Sequence, residues 1–301
     1  MYDIIGDVHG HAQLLKKMLN ELGYKKTSSG YAHPERKAVF VGDFINRGPS
    51  IRKVIRTIRT MVENGNAYTI LGNHELNSII SYIKRKNNLF QQNDISEFKT
   101  IYEFRNFPEE WKDHVRWLRS LPLFLELDGI RVVHACWSDE AVEFVKQHIA
   151  PGKIKKEVFK QIYKSPDSEM AKNIWLLTKG IQFKLPGDLK IKNNKGTFPR
   201  SFRMRWWEYP QGKTFKELSF ESKYEMPDYT VPPQIEPWSL PYPDDAPIVF
   251  FGHYCRHNGP FIVKPNVCCI DACINGSKTL MAYRWHGETA LTETNLVRVG
   301  K

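Results

Sequence analysis

Short apolar runs alternate with amphipathic stretches along the first 80 residues of the chain. The runs YDII, KAVFVG and AYTILG predict three buried strands that end at or next to a glycine. Between them, HAQLLKKMLNELG and SIRKVIRTIRTMVENG carry apolar residues at helical spacing, with Gly23 expected to cap the end of the first helix and Ser50 the start of the second. This strand–helix alternation predicts an α/β fold whose first part forms a largely parallel sheet.

The pattern changes further along the chain. Residues 85–118 are polar and aromatic and are predicted to form a helical insertion, and helical patterns recur at about 138–178. The segment LFLELDGIRVVHA is typical of a hairpin that turns at Asp128-Gly129. We interpret residues 180–245, rich in Pro, Gly and Lys, as an excursion from one domain that covers residues 1–301. Strands are predicted again in APIVFFG, FIVK, NVCCIDACI, TLMAYRW and TNLVRV.

Composition narrows the class of protein. Hydrophobic residues make up 41% and charged residues 26% of the chain, values typical of a globular protein. No apolar run approaches the roughly 18 residues that a membrane helix needs, and the start MYDIIGDVHG lacks the features of a signal peptide. We therefore expect a cytoplasmic protein. The five cysteines form no CxxC pair and are expected to be reduced thiols.

The chain carries a net charge of +11, from 44 basic and 33 acidic residues. Such a charge favours an anionic partner, either a phosphorylated substrate or nucleic acid. The alternative is that the charge serves solubility alone.

Polar side chains that can bind metals or carry protons follow the predicted strands. They are Asp7, His9, Asp43, Arg47, Asn73, His74, His134 and His253. In open α/β sheets the loops at the carboxyl ends of strands converge on the ligand site, so these side chains are expected to meet in space.

Carboxylate and imidazole ligands suit manganese, iron, zinc or nickel rather than a metal selected by thiolates. One ion would use Asp7, His9 and Asp43. A second would use Asp43, Asn73, His134 and His253, so that Asp43 bridges the two ions. Two ions about 3.5–4 Å apart stabilise both the attacking and the leaving oxygens of an in-line phosphoryl transfer.

The motifs GDVHG, GDFINRG, GNHE, HA at 134–135 and GH at 252–253 resemble, in this order, those of the calcineurin-like metallophosphoesterases. The similarity is greatest to the phosphoprotein-phosphatase branch and its bacterial relatives, which include diadenosine tetraphosphatases. It covers most of residues 1–80 and short stretches near 134 and 253. The resemblance implies a four-layer α/β/β/α sandwich of two mixed sheets. It also implies direct attack by metal-bound hydroxide, without a phosphoenzyme.

The resemblance further implies a role for each motif residue. The metal ligands it implies are Asp7, His9, Asp43, Asn73, His134 and His253. Two divalent transition-metal ions are expected, manganese first, with iron, zinc, nickel or cobalt as alternatives. His74 matches the general acid that protonates the leaving oxygen. Arg47 matches a phosphate-binding arginine, and Asn73 is expected to touch the phosphate as well.

A second candidate phosphate ligand is Arg205, in the stretch FPRSFRMRWWEYP. Some bacterial relatives carry a similar Arg-rich stretch that ends in Trp and lines the phosphate site. The aromatic residues of this stretch could stack on a base, or they could pack inside the protein.

Asn46 departs from the family pattern, in which an Asp before the loop arginine pairs with the catalytic histidine. An amide can accept a hydrogen bond from an imidazole but supplies no negative charge to raise the pKa of His74. One alternative is an enzyme that is slow on poor leaving groups, and another is an enzyme that prefers phosphoanhydrides and aryl phosphates. Alternatively, Glu75 or Asp271 supports His74, or the chemistry is lost.

Three functions remain open from the sequence. The first is a two-metal phosphoesterase that hydrolyses phosphomonoesters, including those of phosphoproteins. The second acts on dinucleoside polyphosphates, nucleotides or nucleic-acid ends. The third is a weakly active or non-catalytic module that binds phosphorylated partners.

Overall fold

The computed structural model describes residues 1–84, 98–185, 201–220, 226, 229–230, 241–256 and 259–300. Its centre is formed by two five-stranded sheets. In spatial order, the first sheet contains β14 (Leu296–Gly300), β13 (Thr279–Trp285), β1 (Tyr2–Ile5), β4 (Lys37–Phe40) and β5 (Ala67–Thr69). The second contains β11 (Ile262–Lys264), β12 (Val267–Cys269), β10 (Ile248–Phe251), β7 (Ile130–Val133) and β6 (Phe124–Leu127).

Both sheets are mixed. In the first, β1, β4 and β5 run parallel and β13 pairs with β1 in the antiparallel direction. In the second, β10 lies parallel to both β7 and β12, while β6 and β11 are antiparallel edge strands. The predicted parallel core and the predicted hairpin at 124–133 are therefore confirmed.

Alternation along each central strand assigns its two faces. One set of side chains forms a cluster that joins the two sheets; it includes Ile4, Val39, Val132 and Phe250. The next residue along each strand belongs to the larger cluster that includes the helices; these residues are Ile5, Phe40, Val133 and Phe251. Because successive strand residues point to opposite faces, each sheet packs on the other sheet on one side and on helices on the other. This is the expected layered arrangement of two mixed sheets flanked by helices.

The helices lie outside the sheets and in the connections. They are α1 (Ala12–Glu21), α2 (Ile51–Glu63), α3 (Asn73–Lys84), α4 (Phe98–Phe104), α5 (Pro108–Leu118), α6 (Asp139–His148), α7 (Lys156–Lys164), α8 (Glu169–Lys179), α9 (Phe215–Leu218) and α10 (Ile274–Ser277). Two hairpins, β2 (Lys25–Thr27) with β3 (Gly30–Ala32) and β8 (Gln182–Lys184) with β9 (Ser201–Arg203), and a short 3₁₀ helix at Glu293–Asn295 complete the described elements. The sequence pattern did not predict the β2–β3 hairpin. No described helix has the length and apolar character to cross a membrane.

The structure bears on three local expectations. Ser50 occupies the N-cap position of α2, but its side chain makes no capping bond; Glu103 instead accepts from the N–H groups of Ile51 and Arg52 at 2.7 and 2.8 Å. The helical prediction holds for 98–104 and 108–118, while 85–97 lie outside the described residues, as do 186–200 and much of 221–240. Cys255 and Cys273 form a disulfide, so the expectation of five reduced thiols was wrong for this pair.

Candidate metal centre

The loops that follow β1, β4, β5, β7 and β10 bring two groups of buried potential metal ligands together. Ligand atoms of His9, Asp43 and His74 lie within 4.8 Å of one another, and so do those of Asp43, His134 and His253. Asp43 belongs to both groups. The predicted convergence at the carboxyl ends of the strands is therefore what the structure shows, and it draws on both sheets.

His9 is oriented for metal binding by a backbone carbonyl. Its Nδ1 donates to the oxygen of Ile45 at 3.0 Å, because a carbonyl can only accept. Burial lowers the pKa of His9 to about 3, so Nε2 keeps its lone pair at neutral pH. That lone pair faces carboxylate oxygens of Asp7 and Asp43, each 3.8 Å away.

His134 is oriented in the same way on the other side of Asp43. Its Nδ1 donates to the carbonyl of Val41 at 2.7 Å. Its Nε2 lies 3.3 Å from Asp43 Oδ1 and 3.1 Å from Asn73 Oδ1. Three atoms with lone pairs thus face one another, an arrangement that needs a positive charge between them.

His253 supplies a further sign that a cation fits here. Its Nε2 is buried and has no hydrogen-bond partner, although buried polar atoms are almost always paired. Burial lowers its pKa well below the usual value, so the imidazole is neutral. The donor set of two Asp, one Asn and His residues therefore fits divalent transition metals.

Protons compete with a metal ion for the ligand atoms of this cluster. Burial raises the pKa of Asp7 well above its usual value, and the charges of Asp271 and Asp43 raise it further. Burial lowers the pKa of His134, but the charge of Asp43 and the hydrogen bonds to Asp43 and to the Val41 carbonyl together raise it above the usual value. The pKa of Asp43 is lowered well below its usual value; burial opposes this, but His134 and His74 prevail. Without a cation, protons on Asp7 and His134 would partly neutralise the cluster.

Two motif glycines are required by the carboxylates beside them. A Cβ at Gly72 would lie 2.2 Å from Asp43 Oδ1, and one at Gly252 would lie 2.1 Å from Asp7 Oδ1. Such distances do not occur between real atoms, so the residues before Asn73 and His253 must be glycine if the carboxylates are to occupy these positions.

Five of the predicted site residues adopt the left-handed backbone region that side chains disfavour. Their φ angles are 42° for His9, 48° for Asp43, 61° for Asn46, 62° for Arg47 and 67° for His253. Such conformations persist only where the surroundings enforce them, and they concentrate at functional sites.

Glu75 does not support His74, contrary to one alternative from the sequence. Its buried carboxylate instead accepts N–H groups of the backbone at Asp43, Phe44, Ile45 and Gly72, at 2.8–3.1 Å. Burial raises the pKa of Glu75 to about 7, with the charge of Asp43 adding to this effect. Glu75 therefore fixes the two loops that carry Asp43 and Asn73.

Asp271, the other proposed support for His74, also binds backbone. It accepts from the N–H groups of Cys255 and Cys273 at 2.7 and 2.8 Å. This contact shapes the loop that follows β10 and carries His253.

Asn46 contacts His74, as the resemblance of its motif to the family pattern implied. Asn46 Nδ2 lies 3.0 Å from His74 Nδ1. The Thr100 hydroxyl accepts the backbone N–H of Asn46 at 3.2 Å and donates its proton to Asn46 Oδ1. With its oxygen engaged by Thr100, the Asn46 amide donates an N–H to His74. His74 Nδ1 is then an acceptor, and the ring proton sits on Nε2.

This arrangement favours neutral His74. Burial lowers its pKa, and the charges of Arg47 and Arg203 add to that effect. The charge of Asp43 opposes them without reversing the shift. His74 Nε2 lies 3.8 Å from Asp43 Oδ2, so its proton points toward the ligand cluster.

Helix α4 positions the GDFINRG loop with three side chains that the sequence did not single out. Thr100 holds Asn46, Lys99 Nζ donates to the carbonyl of Arg47 at 2.6 Å, and Glu103 caps α2 directly after the loop. Residues 99, 100 and 103 share one helical face, which is the only signal in the sequence. That spacing does not reveal which loop the face meets.

The three arginines near the site differ in what they contact. Arg47 is exposed on its loop, and its charge acts on His9 and His74. Arg203 donates to the carbonyl of His253 at 2.8 Å, and its charge acts on His74 and His253. Arg205 instead pairs with Glu208 at 3.3 Å and donates to the carbonyl of Ser219 at 3.3 Å. Of the two described arginines of this stretch, Arg203 is the one whose charge acts on His74 and His253, and a contact between Arg205 and phosphate stays a prediction.

The aromatic side chains beside these arginines pack inside the protein. Phe202, Trp206 and Trp207 are at most 2% exposed. Both tryptophans contact Phe251 of β10, with ring centroids 5.3 and 5.4 Å apart. They are therefore not available to stack on a base; residues 198–200 of the stretch lie outside the described part.

The model of one protein family, described as "Calcineurin-like phosphoesterase", matches residues 2–257. The asymmetrical bis(5′-nucleosyl)-tetraphosphatase PrpE of Oceanobacillus iheyensis is 36% identical over 144 residues, which cover 44% of this chain and 54% of that protein. The symmetrical bis(5′-nucleosyl)-tetraphosphatase of Wigglesworthia glossinidia brevipalpis is 33% identical over 136 residues, covering 44% and 43%. The chain thus spans about half the length of the curated relatives it matches.

Solved structures share the fold over a greater length. A serine/threonine phosphatase from Saccharomyces cerevisiae, with similarity to human phosphatase PP5, aligns with 99% of this chain and 78% of its own at a TM-score of 0.53 and 14% identity. A mutant of a cold-active protein tyrosine phosphatase aligns with 99% and 76% at a TM-score of 0.50 and 14% identity. At this identity the likeness shows the fold alone.

Metal affinity is expected to fall as the pH is lowered. Binding requires ionised Asp7 and neutral His134, and both have raised pKa values, so protons are released when a cation binds. We expect Mn²⁺ affinity, measured by equilibrium dialysis at pH 6 and pH 8, to be at least about ten-fold weaker at pH 6. Asp7→Asn should bind more weakly and lose part of this dependence. An affinity independent of pH would contradict the assignment.

Replacement of Thr100 by Val should release the amide of Asn46. The variant leaves Asn46 Oδ1 and its backbone N–H buried without a partner, which costs about 1–3 kcal/mol in the free energy of unfolding, measured with urea. In ¹⁵N NMR spectra, His74 should change from a single Nε2–H form to a mixture of tautomers. Thr100→Ser keeps the hydroxyl and should behave like the wild type. A loss of the same size in Thr100→Ser would show that the hydroxyl is not responsible.

Proposed function

The chain belongs to the calcineurin-like phosphoesterase family, and from this premise we propose that it is a metal-dependent phosphohydrolase acting on dinucleoside polyphosphates. The observation that carries the proposal is that the buried carboxylate of Asp43 lies within 4.8 Å of ligand atoms of His9 and also of ligand atoms of His134 and His253. When bound there, two divalent ions would stabilise charge on the attacking and leaving oxygens and lower the pKa of a water molecule.

The residues around the ligands suit an anionic substrate. Asp7, His9 and Asp43 would hold one ion, and Asp43, Asn73, His134 and His253 the other. The charges of Arg47 and Arg203 both act on His74, and Arg203 also donates to the carbonyl of His253. A guanidinium can hold two phosphate oxygens at once, so we assign these two arginines to the phosphoryl group.

The state of His74 favours a good leaving group. Its neutral Nε2–H can donate a hydrogen bond to a leaving oxygen. The strong acid, a protonated imidazole, is disfavoured because burial lowers the pKa of His74 and Asn46 donates to Nδ1. A phosphate that leaves from an anhydride needs little protonation, whereas an alkoxide needs a full proton. This supports the alternative in which phosphoanhydrides or aryl phosphates are preferred.

The names of the relatives point the same way. Both curated relatives described above are bis(5′-nucleosyl)-tetraphosphatases, which supports a nucleotide substrate over the phosphomonoester or phosphoprotein substrate that was our first expectation. Hydrolysis of phosphomonoesters with good leaving groups is the second candidate, since the same site would accept them.

A direct assay tests the proposal. The purified protein with Mn²⁺ is given diadenosine tetraphosphate, an aryl phosphate and a phosphopeptide that carries phosphoserine. We expect the highest kcat/KM for diadenosine tetraphosphate and a loss of roughly 1,000-fold in Asp43→Asn, because both ions lose a ligand. Asp113→Asn, an exposed carboxylate, is the matched control. Equal rates for wild type and Asp43→Asn would refute a metal-dependent reaction, and an absence of turnover would favour a binding module.

An Asp at position 46, as in the family pattern, should change the substrate preference. In Asn46→Asp the new carboxylate accepts from His74 Nδ1–H and raises the pKa of His74, so protonation of poor leaving groups becomes easier. We expect kcat for an alkyl phosphate to rise about ten-fold, and kcat for an aryl phosphate to change less than two-fold. Asn64→Asp makes the same chemical change at an exposed position. A uniform loss in Asn46→Asp would show that the site requires the amide.

A further inference from the structure

A cavity of 370 Å³ lies beside the GDFINRG loop, and it is lined in part by Arg47, whose charge acts on His9 and His74. Arg47 directly follows Asn46, whose amide lies 3.0 Å from the His74 ring, and the Arg47 side chain lines the cavity. Further lining residues come from distant parts of the chain, namely the start of α1, helix α4, and the region of α10 and the residue that follows it.

The lining of this cavity combines three basic residues with the apolar residues Ala12, Leu14 and Pro49. Arg47, Lys99 and Lys278 lie on it, together with the polar side chains of His11, Gln13 and Asn275. None of the described lining residues is acidic. Within the described part of the chain, no carboxylate forms an ion pair with any of these three cations.

The polar groups are held in place by short contacts. Lys99 Nζ donates to the carbonyl of Arg47 at 2.6 Å, and Lys278 Nζ donates to the carbonyl of Asn275 at 3.1 Å. His11 Nε2 lies 3.1 Å from Asn275 Oδ1, which joins the start of α1 to α10 across 264 residues. Lys278 itself has a φ of 56°, a conformation that side chains disfavour. Arg47, Lys99 and Lys278 are exposed to solvent, and these contacts fix the positions of the two lysine ammonium groups.

We propose that this basic cavity binds the phosphate chain of the substrate beyond the phosphate that is cleaved, an assignment that rests on the proposed function. A phosphate at the metal centre reaches Arg47, and further phosphates of the same chain enter the cavity past Arg47. Its volume is at the lower end of the roughly 300–1,000 Å³ of ligand pockets, which suits a run of phosphates rather than two complete nucleotides. The ligand class is a linear oligophosphate, free or attached to a nucleoside.

Charge reversal at Lys278 tests this assignment. Lys278→Glu and Lys278→Gln are compared with Lys172→Glu, which makes the same change of net charge on the exposed side of α8. The readout is the ratio of kcat/KM for diadenosine tetraphosphate to kcat/KM for an aryl phosphate, which has a single phosphate. We expect this ratio to fall about ten-fold in Lys278→Glu, less in Lys278→Gln, and less than two-fold in Lys172→Glu. An unchanged ratio in Lys278→Glu, or an equal fall in Lys172→Glu, would overturn the proposal.

A binding measurement separates this proposal from the proposed function. Tripolyphosphate and orthophosphate are titrated, as their manganese complexes, into wild type and Lys278→Glu in a calorimeter. We expect wild type to bind tripolyphosphate at least ten-fold more tightly than orthophosphate, and Lys278→Glu to lose most of this difference. This outcome supports the basic cavity even if diadenosine tetraphosphate is not hydrolysed. The same measurement with adenosine 5′-tetraphosphate shows whether the nucleoside adds affinity. Equal affinities of wild type for tripolyphosphate and orthophosphate would refute the cavity's role even in an active enzyme.

Discussion

Four backbone N–H groups from two loops converge on the carboxylate of Glu75, and the geometry of the metal centre depends on that convergence. Glu75 directly follows His74, so one helix start presents an imidazole to the ligand cluster and an anion to the backbone behind it. Burial raises the pKa of Glu75 to about 7, so the anion is fully formed only above neutral pH; hydrogen bonds to the charged form are roughly twice as strong as neutral ones, and the first turn of a helix favours it. The loops that carry Asp43 and Asn73 are thereby fixed by the protein itself, independently of any ion.

The residues of the centre could be predicted from the sequence because each is a local feature. Asp7, Asp43 and Asn73 follow recognisable strands, and parallel strands must end at the same edge of their sheet. The structure adds the physical reason for the glycines around them: Gly72 and Gly252 lie where a side chain would meet the carboxylates of Asp43 and Asp7. The residues of each motif are therefore limited by steric contacts as well as by chemistry. For this reason short stretches of sequence were sufficient to predict the family and the fold.

The supporting contacts could not be predicted, because they join segments far apart in the chain. Thr100 lies 54 residues from Asn46, and nothing in either segment indicates the other. The different contacts of Arg203 and Arg205 result from a turn after Arg205. In this turn Glu208 N–H donates to the Arg205 carbonyl, and the Glu208 side chain pairs with Arg205. An extended strand would have placed both arginines on one face. Sequence patterns identify which side chains carry chemistry, whereas the orientation of an amide or a guanidinium is decided by packing.

The left-handed backbone at His9, Asp43, Asn46, Arg47 and His253 has a consequence for how this protein can be altered. Each such residue lowers the stability of the fold by an amount on the order of 1 kcal/mol, which glycine at the same position would not incur. Variants selected only for heat resistance would therefore tend to accumulate glycine at these positions and lose the ligands. At these five positions the backbone conformation lowers the stability of the fold, while the side chains are needed for reactivity. A search for more stable variants therefore has to keep these positions unchanged and substitute other residues.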